Sequence, residues 1–118
     1  MSYDIYLCDP VTNQPIIIDE PHFMCGGTYC ADGSNELYLN VTYNYAKIYY
    51  YKIGEKGIRT IYGMSGADSI PVLDAAINQL SDDKTENYWE PTEGNAKAAL
   101  IQLKTMAKMR PDGIWKGD

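Results

Sequence analysis

The sequence predicts an α+β domain in which an antiparallel sheet of about four to six strands carries two C-terminal helices packed on one face. Three observations lead there. Residues 37–45 alternate apolar and polar, residues 70–80 and 96–107 repeat apolar residues at helical spacing, and the strand-like segments all precede the helical ones. Strands first and helices afterwards is the order of an α+β domain rather than of alternating βαβ units. The 118 residues suit a single domain, 1–118, with a strand-rich part (1–63), two helices (64–110) and a tail (111–118).

Taken in order, Tyr3–Cys8 is β-prone and stops at Asp9-Pro10. Val11 to Pro15 reads as a turn into the β-branched run Ile16–Ile18, which gives an N-terminal hairpin. Pro10 and Pro15 have no amide proton, so they belong at its ends. Pro21 to Ser34 is irregular, with turn signals at Gly26-Gly27 and Asp32-Gly33 and a short strand over Thr28–Cys30. The clearest strand follows. Leu37, Leu39, Val41, Tyr43 and Tyr45 form its core face, with Tyr38, Asn40, Thr42 and Asn44 opposite. Ala46–Ile53 is β-prone by composition, and Gly54–Gly57 turns it into Ile58–Tyr62 as a second hairpin.

Gly63–Gly66 ends the sheet region. Asp68 or Ser69 caps the first helix, Pro71 sits in its first turn, and Ile70, Leu73, Ala76, Ile77 and Leu80 form its buried stripe. Thr92 caps the second helix, and Glu93 complements the positive end of its dipole. Ala96, Ala99, Leu100, Leu103, Met106 and Ala107 make the second stripe, while Lys97, Lys104, Lys108 and Arg110 load the outer face and the C-terminal end. Pro111-Asp112-Gly113 stops the helix, and Trp115 is expected to fold back onto the core.

A hydrophobic content of 45% with 22% charged residues is ordinary globular composition. The bias lies in the aromatics: eleven tyrosines and two tryptophans stand against one phenylalanine, Phe23. Tyr43, Tyr45, Tyr49, Tyr50, Tyr51 and Tyr62 crowd into one short stretch. A tyrosine has an apolar ring and a polar tip, which suits half-buried sheet faces and wet interfaces. The net charge of −6 works against phosphate backbones and anionic membranes, so neither nucleic acid nor a membrane is an expected partner. The first residues show neither a basic segment nor a long apolar one, so a cytoplasmic location is expected. Cys8, Cys25 and Cys30 are odd in number and cannot all pair within one chain, which reads as reduced thiols.

Candidate chemistry is sparse. His22, Cys25 and Cys30 supply one short ligand pair and no second, so neither a metal nor another cofactor is expected. A thiol nucleophile needs a base, and His22 is the single histidine; Glu20 is placed to orient it, with Cys25 or Cys30 as the thiol. The pairs Asp19-Glu20 and Asp82-Asp83 read as solvated acids. Ser65 lies one residue short of a nucleophile-elbow spacing. The junction Arg59–Ser69 places a glycine turn before a helix N-terminus, a geometry that favours anions, although Asp68 at the same terminus opposes one. Tyr43, Tyr45, Tyr62 and Trp89 could stack on a base, with Asn44 reading hydrogen-bond edges and Arg59 taking a phosphate or carboxylate. Cross-strand packing in the sheet is the competing account of the same aromatics.

Glu20-Pro21-His22, Gly26–Tyr29, Asn40–Tyr45, Gly54–Arg59 and Arg110–Trp115 together resemble an uncharacterised family of small bacteriophage and prophage proteins, over nearly the whole chain. The resemblance implies a context of accessory phage proteins, which often act by binding, including against host defence. The expected function is a non-catalytic binding protein holding a nucleotide-like small molecule or a host protein, with homo-oligomers through the tyrosines. Its candidate ligand residues are Tyr43, Asn44, Tyr45, Arg59, Tyr62 and Trp89. The alternatives are a small enzyme using His22 with Glu20 or a thiol, and a virion structural or assembly protein.

Overall fold

The computed structural model describes residues 1–28 and 33–118. Among them run five strands, β1 (Ser2–Cys8), β2 (Ile17–His22), β3 (Ser34–Glu36), β4 (Tyr38–Thr42) and β5 (Ile114–Gly117), and three α-helices, α1 (Ala46–Lys52), α2 (Gly66–Ile77) and α3 (Glu93–Met109). The fold is α+β, as the order of patterns predicts.

β1 is the centre of a three-stranded antiparallel sheet, order β4-β1-β5. Tyr3 faces Val41, Ile5 faces Leu39 and Leu7 faces Trp115 in register, so all six side chains share one sheet face. All six are buried, and they join one core with Leu73 of α2 and Leu100 and Leu103 of α3. The opposite face holds a polar cluster. Asp4 Oδ1 accepts from Tyr38 Oη at 2.6 Å and from Asn40 Nδ2 at 2.9 Å, and the Tyr6 and Tyr38 rings meet at 4.7 Å. Both sheet edges are covered in part by chain segments. Gly26 N donates to Asn40 O of β4 (3.0 Å), and Trp115 N of β5 donates to Met64 O (2.9 Å).

The N-terminal hairpin is present only as its turn. Ile16 N donates to Leu7 O (3.0 Å) and Asp9 N to Gln14 O (2.9 Å), after which β2 pairs with β3 instead, through Ile17↔Glu36 and His22↔Ser34. β1 has only two edges, and β4 and β5 occupy them. The second hairpin is replaced outright. The strand ends at Thr42, whose Oγ1 accepts from Asn44 N (3.2 Å) as a helix cap; a 3₁₀ turn (Tyr43–Tyr45), α1 and a second 3₁₀ turn (Gly57–Ile61) follow. Tyr45 and Tyr49, four apart, and Ile58 and Ile61, three apart, are the buried hydrophobic side chains there, and this is helical spacing. Tyr49 Oη donates to Ala96 O of α3 at 2.9 Å, so docking on a helix overrides the β-propensity of the tyrosine run.

α2 begins earlier than expected. Ser65 is its cap, accepting from Asp68 N at 3.0 Å, so neither Asp68 nor Ser69 fills that role, and Pro71 lies inside the helix rather than in its first turn. α3 follows expectation: Thr92 Oγ1 accepts from Asn95 N at 3.1 Å, Glu93 is in the first turn, and all six stripe residues are buried. The segment expected as a tail carries β5. Cys8 is a buried free thiol, whereas Cys25 is disulfide-bonded, which corrects the expectation of reduced thiols throughout. The expected strand Thr28–Cys30 and the turn Asp32-Gly33 reach outside the described residues.

Candidate functional site

One buried amide organises the segment that precedes α3. Asn95 Nδ2 donates to Thr85 Oγ1, Asn87 O and Glu90 O, each at 3.1 Å, and its Oδ1 accepts from Thr85 N at 3.2 Å. The loop 84–91 is thereby wound around the first turn of α3. Gly94 permits the approach, since a Cβ there would lie 2.5 Å from Lys84 N. Two side chains from the 42–45 turn hold the same loop from the other side. Tyr45 Oη donates to Tyr88 O, and Asn44 Nδ2 donates to Trp89 O at 3.0 Å.

Beside this junction lies an open depression of ≈ 660 Å³, lined by Tyr43, Asn44, Lys47, Ile48 and Pro91. It offers an aromatic ring, an amide, one ammonium and an apolar wall. The Trp89 side chain is 49% exposed and packs edge-on against Tyr88 at 5.1 Å. Tyr43 is half-buried, its ring set edge-on to Tyr3 at 4.5 Å. Tyr45 is different: at 1% exposure it is a core residue, and burial pushes its phenol up to about 12.

Arg59 and Tyr62 belong to a neighbouring cluster. The Arg59 guanidinium lies 4.8 Å from the Tyr3 ring centroid, and its Nε donates to Asp118 O at 2.8 Å. Burial, followed by a hydrogen bond with Tyr50, pushes Tyr3 up to about 12. Tyr62 is raised by burial and then by the Asp118 carboxylate, and among the described residues its buried Oη has no hydrogen-bond partner. The structure therefore gathers Tyr43, Asn44 and the Trp89 backbone around the depression. It puts Tyr45 in the core beneath and sets Arg59 and Tyr62 beside β1 and the end of β5.

The anion geometry expected at the start of α2 is already satisfied internally. Gly66 N donates to Gly113 O (2.7 Å), Ala67 N to Pro111 O (3.0 Å) and Asp68 N to Ser65 Oγ (3.0 Å), so these amides are spent on the protein itself. His22 is likewise committed. Its Nδ1 accepts from Met24 N at 3.2 Å, which leaves the proton on Nε2, and Nε2 donates to Glu36 O at 2.7 Å. Glu20 is exposed on the β2–β3 ribbon. Both imidazole nitrogens thus brace that ribbon.

Sequence reasoning passed over Lys47, Asn95 and Gln102. A signal for Lys47 was available: residues 43–62 hold four bases, Lys47, Lys52, Lys56 and Arg59, against one acid, Glu55, in a chain of net charge −6. Among the described residues Lys47, Lys52 and Lys56 form no ion pair, whereas Lys97 and Lys104 bind Asp82 (2.7 Å) and Asp74 (2.6 Å). Asn95 and Gln102 had a subtler one, the polar–small–polar spacing of Asn95, Ala98 and Gln102 along one side of α3. Comparisons with family models, with curated proteins and with solved structures return no match.

Proposed function

We propose that this chain is a non-catalytic accessory binding protein of phage origin that sequesters a nucleotide-like small molecule and so counters host defence. The observation that carries this reading is the ≈ 660 Å³ depression beside Tyr43, Asn44 and Lys47, within a basic segment of an acidic chain. Its volume suits a small ligand. Tyr43 supplies a ring for a base, the Asn44 amide a hydrogen-bonding edge, and Lys47 a positive charge for a phosphate. The commitment of both His22 nitrogens to backbone groups favours binding over acid–base chemistry at that residue.

Thermal unfolding against nucleotides, cyclic nucleotides and ADP-ribose-like compounds tests the reading. A ligand present at a hundred times its Kd adds about 2.7 kcal/mol to stability, a shift of several degrees. That shift is expected for the native chain and lost in Lys47→Glu. A flat panel, or a shift indifferent to Lys47→Glu, counts against it. A host protein as partner is a second reading, favoured by Tyr50 and Tyr51, which are 44% and 83% exposed on the same segment.

A further inference from the structure

The surface where α1 meets the 84–91 loop carries two oppositely charged halves. In α1, Lys47, Tyr50 and Tyr51 are exposed, and their spacing of three and four residues puts them on one side of the helix, away from buried Tyr45 and Tyr49. Lys52 Nζ lies 4.9 Å from the Tyr51 ring centroid, so cation and ring form one surface. Residues 43–62 hold four bases against one acid, a net charge of +3. Residues 82–90 hold four acids, Asp82, Asp83, Glu86 and Glu90, against one base, Lys84, a net charge of −3. The two segments are neighbours. Asn44 Nδ2 donates to Trp89 O at 3.0 Å, Tyr45 Oη donates to Tyr88 O, and Lys47 and Pro91 line the same depression.

The exposed rings gather on these two segments as well. Among the described residues five aromatic side chains are exposed, and four of them, Tyr50, Tyr51, Tyr88 and Trp89, lie here. Tyrosine and tryptophan are the residues that anchor protein interfaces. The charges are unspent too: among the described residues Lys47, Lys52, Lys56, Asp83 and Glu86 form no ion pair. A foreign partner would need a matching alternation of sign, whereas a second copy of the chain already carries it. In a two-fold contact both protomers offer the same patch, so residue i meets j while j meets i. A patch of one sign would repel its copy; here a half-turn sets +3 against −3 twice. We propose that this face binds a second copy of the chain as a two-fold dimer, the basic α1 segment of one protomer against the acidic 82–90 loop of its partner.

Sedimentation velocity of the full chain, from micromolar to millimolar concentration, tests this. A monomer–dimer equilibrium is expected, and it weakens at about 1 M salt, where the screening length falls to about 3 Å. Two charge-reversed variants, Lys52→Glu/Lys56→Glu and Asp83→Lys/Glu86→Lys, decide the arrangement. Each alone is expected to stay monomeric, because its own dimer would oppose like charges. Their equimolar mixture is expected to associate again, since both contacts of the mixed dimer join opposite charges; a folding defect would not be rescued this way. Tyr51→Ser, at a position 83% exposed, is expected to weaken association about tenfold without unfolding the monomer. Lys47 is native in all three variants, so association and the nucleotide-induced shift are read separately and either can fail alone. The proposal is overturned if the native chain stays monomeric at millimolar concentration or grows past the dimer. It is equally overturned if the reversed variants dimerise as the native chain does, if their mixture stays monomeric, or if Tyr51→Ser associates with native affinity.

Discussion

Trp115 Nε1 donates a 2.8 Å hydrogen bond to Ser69 Oγ, and both residues are fully buried. Ser69 Oγ in turn donates to Gly66 O at 2.8 Å, so one hydroxyl ties the C-terminal strand to the first turn of α2. The indole is the largest fully buried side chain, and its single polar atom has this one partner. Ser69→Ala leaves that N–H buried and unpaired, and is expected to cost about 1–3 kcal/mol. Urea unfolding with an unchanged m-value checks the magnitude. An effect below about 0.5 kcal/mol would mean that the bond contributes little.

Asn95 supplies four of the hydrogen bonds that hold the 84–91 loop on α3. Asn95→Ala is expected to cost about 2–3 kcal/mol, because several loop groups lose a buried partner together. The same variant should open the loop to limited proteolysis near Lys84 while α3 stays folded. Equal protease resistance in variant and native chain would show that the loop is held by other contacts.

Tyr43 and Tyr45 are neighbours with different duties. Tyr45→Ala empties a core position and is expected to cost about 3–5 kcal/mol. Tyr43→Ala removes a half-buried ring packed on Tyr3 and should cost about 1 kcal/mol. Thermal unfolding separates the two. On the proposed function, Tyr43→Ala folds but loses the nucleotide-induced shift.

The buried tyrosines predict alkaline lability. Tyr3 and Tyr45 are pushed up to about 12, and Tyr38, Tyr49 and Tyr62 are also raised, in every case first by burial. An unfolded tyrosine loses its proton near pH 10. Below that pH these phenols are neutral in both states and their contribution is fully present. As pH rises from about 10 towards 12 the unfolded chain sheds protons that the folded chain keeps, so stability falls. Circular dichroism should show cooperative unfolding in that window, accompanied by a step in tyrosinate absorbance. A gradual, independent titration of all the tyrosines without unfolding would contradict the burial account.

The legible parts of the fold are those whose signal is local. Thr92 and Glu93 mark the start of α3, and the spacing of Ala96, Ala99, Leu100, Leu103, Met106 and Ala107 names its buried face residue by residue. Leu39 and Val41 give the inward side of β4 in the same way, with Leu37 buried just before it. Alternation continues through Tyr43 and Tyr45, but the chain turns at Thr42 into a helical path that also buries Tyr45. At that point period two and period four name the same residue, and the β-prone run of tyrosines predicts a strand where the chain is helical.

Of the candidate site, Tyr43 and Asn44 were legible as a ring and an amide on one segment, and the depression they line took its remaining residues from elsewhere. Pro91 reaches it from a loop fixed by Asn95, and Arg59 is drawn away by Asp118. Local patterns predict the α+β class, both C-terminal helices, the cap of α3 and the inward return of Trp115. Periodicity and capping act within a few residues and survive in any tertiary setting. Tertiary contacts alone make Tyr43–Lys52 and Gly57–Ile61 helical, spend the two edges of β1 on β4 and β5, and occupy His22 and the α2 amides. Each of these depends on a partner distant in the chain, such as Ala96 for Tyr49 or Gly113 for Gly66, and no local pattern encodes that pairing.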